Sequence, residues 1–386
     1  MSMAKPLRKV VVLQHRLLHY RVRFFQELRA ACAERRIELC LVHGQPTAAE
    51  ARKRDTGALD WADVVTNRYV NVRGRDVLWQ PFPGRHRDAE LVVMMQENRL
   101  LSNYPWLFSR NGTAARIGYW GHGRNFQTDA PAGLREKWKR LLVGRVDWWF
   151  AYTGMTRDIL LTDGYPDERI TVLDNAIDNE AFQADLASIT ASDLAGLRAR
   201  VGAGETAPIG LFCGSLYPDK RIGFMIDAAD RIRASIPDFG LVVIGDGPGA
   251  DEVKAAAASR PWLHWTGALK GREKAAWFRL ASVVMNPGLT GLHILDSFCA
   301  GVPLATTANS RHSPEIAYLE SGVNGLVVIG GAGKYAQAIV RLLRDAQAFE
   351  RLRQGALESA RRYTLANMVE HFADGIVSCL AMERKS

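Results

Sequence analysis

The chain has 386 residues, of which 47% are hydrophobic and 24% charged, a composition typical of a soluble globular protein with enough apolar residues for two domain-sized cores. Its five cysteines form no CxxC pair and no apolar run approaches the ~18 residues of a membrane span, which argues against a disulfide scaffold and a membrane-spanning protein and predicts a cytoplasmic chain with reduced thiols. The net charge of +9 is concentrated in residues 1–180, with 28 Lys and Arg against 21 Asp and Glu; this suits an anionic partner, although a solvated surface without a partner explains it equally well.

Apolar runs and amphipathic segments are predicted to alternate as strands and helices through the first half of the chain. Strands are predicted over residues 9–14, 37–43, 91–95, 116–120, 148–152 and 170–173, and helices over 22–34 and 155–162. Residues 44–84 show no clear periodicity. This order predicts a doubly wound α/β domain, in which ligands gather at the carboxyl ends of the strands.

Polar residues follow two of these strand ends. Arg16, His19 and Tyr20 lie in the turn after the first strand, and Arg124 follows the fourth. We interpret them as contacts for an anionic or bulky ligand, and polar residues in a solvated loop are an equally good explanation. His122 lies between two glycines, so it can approach a ligand closely and offer a neutral imidazole; a packed loop histidine is the alternative.

Residues 134–146 are predicted to form a basic amphipathic helix. An apolar stripe that includes Trp138 is accompanied by five Lys and Arg. Such a helix can lie on an anionic membrane. The fold class favours the alternative, in which the stripe covers the sheet as part of the core.

A second series of strands and helices begins at Pro208, after a predicted linker region with one helix over residues 183–207. Strands are predicted over residues 209–213, 241–244, 263–265, 283–286 and 302–306, and helices over 222–233, 345–362 and 365–382. The second half therefore repeats the α/β pattern of the first.

Glycine-containing loops follow several strands of this second half. They contain Gly214, Gly245, Gly267, Gly288 and Gly291. A glycine loop that leads into a helix can bind an anion through its backbone N–H groups, and Lys220 and Arg221 add positive charge after the first loop. Asp296, about one turn into the helix after the last loop, can hold a sugar hydroxyl. An ordinary loop–helix–strand unit is the alternative, because single glycine loops are weak signals.

Residues 286–315 resemble the donor-site motif of the GT4 family, the retaining glycosyltransferases with the GT-B fold. That motif has two glutamates separated by seven residues. Gly291-Leu292 and the sequence Ala-Gly-Val-Pro at 300–303 match it. Asp296 takes the place of the second glutamate, and Gly288 stands where the first belongs.

Three further elements carry the resemblance. The Gly-Asp-Gly-Pro sequence at 245–248 and the Pro-Glu-Ile sequence at 314–316 match the family, as does Lys220. Ser215 replaces a family arginine, and the charge is expected from Arg221 instead.

The resemblance implies two Rossmann-like, doubly wound domains that face a central cleft, with a C-terminal helix that crosses back to the N-terminal domain. We expect an acceptor-side domain over residues 1–182, completed by the last helix at about 365–386. The linker region over 183–207 would lead to a nucleotide-sugar donor domain over 208–364.

The resemblance also implies transfer of a hexose or deoxyhexose from a nucleoside-diphosphate sugar to an acceptor hydroxyl, with retention of anomeric configuration and without a metal or other cofactor. Lys220 is expected to bind the diphosphate and His122 to border the anomeric carbon, as the catalytic residues. Donor binding is expected from Gly214, Ser215, Arg221, Gly245, Ala268, Leu269, Gly288, Leu289, Thr290, Gly291, Leu292 and Asp296. The acceptor-side residues are expected to be Arg16, His19, Tyr20, Arg124 and Glu315.

The expected acceptor is a glycan on a lipid carrier of an envelope or exopolysaccharide pathway, handled by an enzyme peripheral to the inner face of the plasma membrane. Nucleic acid is not an expected partner, because no recognition motif is found. Two alternatives remain open. One is a soluble glycosyltransferase that acts on a small molecule or a protein; the other, motivated by Gly288 and Ser215, is a catalytically degenerate protein that binds nucleotide sugars.

Overall fold

The computed structural model describes residues 7–52, 55–72, 74–123, 142–308 and 310–383. Its contacts divide the chain into two compact units. Unit 1 comprises Met1–Ile177 and Leu365–Ser386, and unit 2 comprises Asp178–Thr364.

Unit 1 is built around a parallel sheet of seven strands and a separate two-stranded hairpin. The strands are β1 (Arg8–Gln14), β2 (Ile37–Gly44), β3 (Asp63–Val65), β4 (Arg68–Val72), β5 (Arg75–Trp79), β6 (Leu91–Met95), β7 (Arg116–Gly121), β8 (Trp148–Ala151) and β9 (Ile170–Val172). The order in the sheet is β3-β2-β1-β6-β7-β8-β9, and all neighbours are parallel. The carboxyl ends therefore meet at one edge, where the segments after β1, β6 and β7 lie next to one another.

The helices described before residue 177 are α1 (Val22–Glu34), α2 (Ala48–Ala51), α3 (Asn103–Ser109) and α4 (Gly154–Thr162). Apolar residues at helical spacing explain α1, which buries Phe24, Phe25 and Leu28 on one face. The predicted strands and helices of this unit agree with these bounds within one or two residues.

Residues 44–84, where the sequence shows no periodicity, contain β3 and the β4–β5 hairpin. β3 has only three residues and pairs with the end of β2, so it is too short to show a pattern. In the hairpin, Gly74 adopts a φ of 77°, which favours glycine. The partner of β3 lies in another segment, and the two hairpin strands have only five residues each, so short-range patterns do not reveal these elements.

Unit 2 repeats the architecture with six parallel strands. They are β10 (Ile209–Cys213), β11 (Gly240–Ile244), β12 (Leu263–Gly267), β13 (Val283–Met285), β14 (Leu304–Thr307) and β15 (Gly325–Val328). Their order is β12-β11-β10-β13-β14-β15, so the direction of winding reverses between β10 and β13. Ligands of doubly wound domains bind outside the strand ends at such a reversal. The loops after β10 and β13 are therefore the first place to look for a site.

The helices of unit 2 are α5 (Asn179–Ala187), α6 (Ala191–Arg200), α7 (Ile222–Ser235), α8 (Ala250–Ala258), α9 (Gly271–Leu280), α10 (His293–Cys299), α11 (Ala332–Arg344) and α12 (Ala346–Arg362). Phe212 of β10 and Tyr335 of α11 are fully buried in its core. The strand-and-helix alternation predicted from the sequence is present throughout this unit.

Residues 183–207 are not the predicted linker but an integral part of unit 2. α5 buries Phe182 and Leu186, and the ring of Phe182 meets that of Phe278 on α9 at a centroid distance of 5.5 Å. On α6, the carboxylate of Asp193 lies 2.7 Å from the guanidinium of Arg272. Unit 1 accordingly gives way to unit 2 after residue 177 rather than 182. The sequence suggested a linker because the contacts of this segment lie about eighty residues further along the chain.

The last helix, α13 (Leu365–Ala381), belongs to unit 1, as the resemblance implied. Phe372 is fully buried, and its ring stacks on that of Phe150 in β8 at a centroid distance of 4.3 Å. Gly375 lies so close to β9 that an added Cβ would come within 2.5 Å of the hydroxyl of Thr171. The helix is therefore part of the unit 1 core.

Residues 134–141 of the predicted basic helix lie outside the described residues. Leu142 and Val146, at the end of that segment, are buried in the core of unit 1, which agrees with the core interpretation for this end. Within the described ranges, no helix combines the length and the apolar character that crossing a bilayer requires.

Replacement of Phe372 by alanine should remove the ring stacked on Phe150 and leave a cavity. We expect the free energy of unfolding of unit 1 to fall by about 3–5 kcal/mol, the usual cost of truncating a buried Phe. Urea denaturation followed by tryptophan fluorescence measures the change. Val377→Ala, on the same helix at a position that is 40% exposed, is the matched control and should cost under ~0.5 kcal/mol. Equal losses in both variants would contradict the assignment of α13 to the core.

Candidate functional site

The loops after β10 and β13 meet backbone against backbone at the reversal of the unit 2 sheet. An added Cβ at Gly288 would collide with the carbonyl oxygen of Asp219 and with the backbone of Lys220. The N–H of Leu289 donates to the same oxygen of Asp219 at 2.8 Å. In this arrangement only glycine fits at position 288, so the glutamate that the family motif has there would require the two loops to move apart.

Lys220 lies between these two loops and is only 4% exposed. Its ammonium donates to the carbonyl oxygen of Leu289 at 2.5 Å and lies 5.7 Å from the ring centroid of Tyr217. Within the described residues it forms no ion pair, and burial lowers its pKa to about 8. A buried ammonium without a carboxylate partner is costly, so the position suits an anionic ligand that restores the missing charge.

Three glycines end adjacent strands of the same sheet. The N–H of Gly214 donates to the carbonyl of Ile244 at 3.0 Å, and that of Gly245 donates to the carbonyl of Gly267 at 2.8 Å. A side chain at Gly245 would collide with the carbonyl of Gly214. The strand ends are therefore bare backbone. Of the other predicted donor residues here, Ser215 and Ala268 are exposed and Leu269 is half-buried.

The predicted donor residues Leu289, Thr290, Gly291 and Leu292 form the rest of the loop up to the start of α10. His312, which the sequence did not single out, holds this loop in place. Its Nδ1 accepts from the N–H of Thr290 at 3.2 Å, and its Nε2 lies 2.9 Å from the carbonyl oxygen of Thr307. Only the neutral imidazole with its proton on Nε2 satisfies both contacts. Burial lowers the pKa of His312 and so favours this form.

Arg221, expected to supply a second charge for the diphosphate, is engaged at the end of β14. Its Nη1 donates to the hydroxyl of Thr307 at 2.9 Å and to that of Ser310 at 3.2 Å. The guanidinium carbon lies 4.2 Å from the ring centroid of Phe224. Its contacts in this structure therefore stabilise the loop after β14, and its role toward a diphosphate stays a prediction.

Asp296, predicted to hold a ribose hydroxyl, lies on α10 and is 6% exposed. Its Oδ2 is 2.9 Å from the ammonium of Lys274 on α9. Burial lowers the pKa of Lys274, but the charge and the hydrogen bond of Asp296, together with smaller contributions from Cys213 and Asp185, raise it overall. Lys274 therefore stays charged, and a ribose hydroxyl would share the carboxylate with it. Lys274 was missed because nothing in its local sequence connects it to α10.

His293, the first residue of α10, was also missed. Its Nε2 is buried and has no hydrogen-bond partner among the described residues. Burial, together with the nearby charges of Lys220 and Lys274, lowers its pKa well below the ordinary value. The imidazole is therefore neutral and can offer a ring nitrogen to a ligand.

The carboxyl edge of the unit 1 sheet carries the predicted residues of the turn after β1. Arg16 is 9% exposed, and its guanidinium lies 2.6 Å from the carboxylate of Asp55. His19 is exposed and meets the ring of Tyr20 edge-on at a centroid distance of 5.9 Å. Arg16 therefore stabilises the turn in this structure, and its role toward an acceptor stays a prediction. His19 and Tyr20 remain accessible.

Charged residues from other loops surround the neighbouring His15. Its ring nitrogens lie 3.5 Å from Glu50 and 3.6 Å from Glu97. Arg99 lies 2.7 Å from Glu97 and 3.3 Å from Glu50, so it joins the two carboxylates. Burial lowers the pKa of His15. The sequence did not reveal this cluster because its members come from three separate segments of the chain, one of them the helix α2.

His122 follows β7, as predicted, and its ring meets that of Tyr152 edge-on at a centroid distance of 4.1 Å. The side chain of Gln96 donates to the carbonyl of Gly123 at 2.8 Å and fixes the turn. Glu315, predicted on the acceptor side, lies in unit 2 and is 4% exposed, and its role toward an acceptor stays a prediction. Arg124 lies outside the described residues.

Residues 207–345 match the family model described as Glycosyl transferases group 1. The chain is 29% identical over 244 residues to the D-inositol 3-phosphate glycosyltransferase of Stackebrandtia nassauensis, which covers 57% of this chain and 50% of that protein. It is 22% identical over 166 residues to the alpha-monoglucosyldiacylglycerol synthase of Acholeplasma laidlawii, which covers 42% of this chain and 40% of that protein. The chain thus spans about half the length of the curated relatives it matches.

The fold is similar to that of HepE from Anabaena, solved in complex with UDP, with a TM-score of 0.69. The two are 14% identical, and the alignment covers 96% of this chain and all of that chain. This similarity concerns the fold, whereas the family match rests on the sequence of unit 2, which contains the loops around Lys220. Residues 207–345 therefore resemble the glycosyl transferases group 1 family in sequence, and the chain has the GT-B fold.

Proposed function

We propose that the protein is a retaining glycosyltransferase that transfers a hexose or deoxyhexose from a nucleoside diphosphate to a hydroxyl group of a lipid-linked glycan. The observation that carries the proposal is the buried ammonium of Lys220 at the reversal of the unit 2 sheet. It lies between two loops whose backbones are in direct contact and has no carboxylate partner within the described residues.

The diphosphate of the donor would bind beside Lys220. The ammonium uses one of its N–H groups on the carbonyl of Leu289, and the other two can bind phosphate oxygens. The neutral ring of His293 can contribute a further hydrogen bond. In this proposal the positive charge that stabilises the leaving diphosphate comes from the protein and not from a metal ion.

The nucleoside would lie along the bare strand ends. Ala268 and Leu269, after β12, are accessible for contact with the base. Asp296 would accept a hydrogen bond from a ribose hydroxyl while it remains paired with Lys274. UDP is the first candidate nucleotide, because the similar structure from Anabaena contains it.

Retention of configuration follows if the acceptor attacks from the face that the diphosphate leaves. The bond from the acceptor oxygen to the anomeric carbon forms as the bond from that carbon to the phosphate oxygen breaks. The acceptor proton passes to the departing phosphate oxygen, so no separate protein base is needed. His122 would border the anomeric carbon and offer its neutral imidazole to the sugar.

Two observations support the proposed acceptor. One matched relative is named as a synthase of a glucosylated diacylglycerol, a lipid product. The first half of the chain carries most of the excess positive charge, which suits an enzyme peripheral to an anionic membrane. His19 and Tyr20 are the accessible residues of unit 1 that we assign to the acceptor.

One observation favours a second function, binding of nucleotide sugars without turnover. Gly288 has no space for the glutamate that the family uses to grip the donor sugar. Release of free nucleoside diphosphate from a bound donor, with an acceptor present, separates transfer from binding alone.

Binding of nucleotides tests the donor site directly. A thermal-shift screen against UDP, GDP, ADP, CMP and dTDP should give one selective increase in melting temperature, since a ligand of the native state stabilises by mass action. We expect UDP to give this increase in melting temperature. Addition of EDTA should leave the increase unchanged, since the proposal involves no metal ion. Lys220→Met should abolish the shift, whereas Lys254→Met, an exposed lysine of the same unit, should keep it. No shift with any nucleotide would refute the donor site.

The affinity of the protein for UDP should fall as the pH rises through about 8. The pKa of Lys220 is lowered to about 8, and the charged form of a lysine exists below its pKa, so the positive charge is lost above that pH. If only the ammonium binds the diphosphate, affinity decreases about tenfold between pH 7 and pH 9. Titration calorimetry measures it. Lys220→Arg, which stays charged, should give a flat profile; an equally steep profile in this variant would assign the titration to another group.

The role of Asp296 can be tested by comparing the binding of UDP with that of 2′-deoxy-UDP, which lacks one ribose hydroxyl. A hydrogen bond to a charged group contributes about 1.5–3 kcal/mol, so wild-type protein should bind UDP about tenfold or more tightly than 2′-deoxy-UDP. Asp296→Asn should weaken UDP binding and leave 2′-deoxy-UDP nearly unchanged. An equal loss for both nucleotides would point to a structural role through Lys274. Circular dichroism at the assay temperature verifies that the variant is folded.

A further inference from the structure

The β4–β5 hairpin of unit 1 presents an apolar face to solvent. Its two strands pair so that Arg68 lies opposite Trp79 and Val70 opposite Val77. On the inner face, Leu78 is 1% exposed. On the outer face Val70 is 59%, Val72 49% and Trp79 44% exposed. These three are among the most exposed large hydrophobic side chains of the described chain, and none of the functions derived above uses them.

The same hairpin is basic. Residues 68–79 contain three arginines and one aspartate, and Arg68 is exposed on the face of the two valines. The hairpin lies in the half of the chain that carries most of the excess positive charge. Short apolar side chains, an accessible Trp and neighbouring arginines are the combination that binds the interface of an anionic bilayer, where the apolar groups enter and the cations meet headgroups.

Both ends of the hairpin are fastened to the carboxyl end of β1. The side chain of Asn67, just before β4, donates to the carbonyl of His15 at 2.6 Å. That of Gln80, just after β5, donates to the carbonyl of Gln14 at 2.7 Å. Asn67 is 3% and Gln80 6% exposed, so these anchors are buried. The hairpin therefore projects from the strand end that precedes the turn with His19 and Tyr20.

A second copy of the chain is a poor occupant for this face. Stable protein–protein interfaces use about 20–30 residues a side, whereas each strand of the hairpin has five residues, and only alternate ones point outward. A few apolar side chains with basic neighbours are sufficient for reversible contact with a bilayer.

We propose that the outer face of the β4–β5 hairpin is a docking surface for membranes that contain anionic lipids. It would hold the carboxyl edge of the unit 1 sheet near the headgroup region. The functional meaning of this contact depends on the proposed function, because a lipid-linked acceptor lies in the membrane. The contact with the membrane itself depends only on the hairpin.

Vesicle binding of the full chain tests the surface. Sedimentation with phosphatidylcholine vesicles containing phosphatidylglycerol should bring down the protein, and pure phosphatidylcholine should bring down much less. The triple variant Val70→Ser, Val72→Ser, Trp79→Ser should lower the partition coefficient about tenfold or more. Val64→Ser, at a 71% exposed valine of β3 outside the hairpin, is the matched control and should bind like wild type.

A fluorescent label reports the depth of the contact. Cys40 is half-buried and the other four cysteines are buried, so a Cys40→Ser background allows labelling at a single new thiol. A polarity-sensitive dye on Val70→Cys should shift its emission to the blue on anionic vesicles, and the same dye on Val64→Cys should not.

Three outcomes would overturn the proposal. Equal vesicle binding by the triple variant and the Val64→Ser control would assign the contact to another surface, such as residues 134–146. If the wild-type protein binds no vesicles, membrane binding itself is refuted. Self-association that the triple variant abolishes, seen by analytical ultracentrifugation, would make a second copy the occupant. The nucleotide screen is read separately, so a protein that binds vesicles but no nucleotide retains the docking surface and loses the proposed function.

Discussion

The backbone contact between the loops after β10 and β13 is the constraint on which the proposed donor site depends. Because Gly288 touches Asp219, the carbonyl of Leu289 comes within reach of Lys220, and the ammonium is buried in an environment that lowers its pKa. The same approach leaves no volume for an acidic side chain at position 288. The loss of one family residue and the burial of another thus have a single cause, and His312 secures the arrangement from the side of β14.

The two units use their ionisable groups in different ways. At the edge of the unit 1 sheet, Arg16 and Arg99 are bonded to carboxylates of the same unit, so their charges fix loops. In unit 2 the ammonium of Lys220 is buried without such a partner in the described residues, while Lys274 is compensated by Asp296. Of these cations, only Lys220 combines burial with an uncompensated charge, which is the electrostatic condition for binding a diphosphate.

Most of the fold could be predicted from the sequence because both sheets are parallel and buried on both faces, so strands such as β1, β6 and β10 are continuous apolar runs. The positions of Lys220 and Asp296 beside the reversal of the unit 2 sheet were predictable because short motifs specify them, and their roles stay predictions. His293, His312 and Lys274 were not predictable, since each reaches the site through contacts between elements distant in sequence. The assignment of 183–207 as a linker failed for the same reason: Phe182 and Leu186 become core only against α9.

The return of α13 to unit 1 gives the chain an order of assembly. Unit 2 is one uninterrupted segment of the sequence. Unit 1 is divided, and the ring of Phe150 lacks its stacking partner Phe372 until α13, which follows unit 2 in the sequence, has been made. During synthesis from the N-terminus, all of unit 2 is therefore made while unit 1 still exposes the apolar surface that α13 will cover.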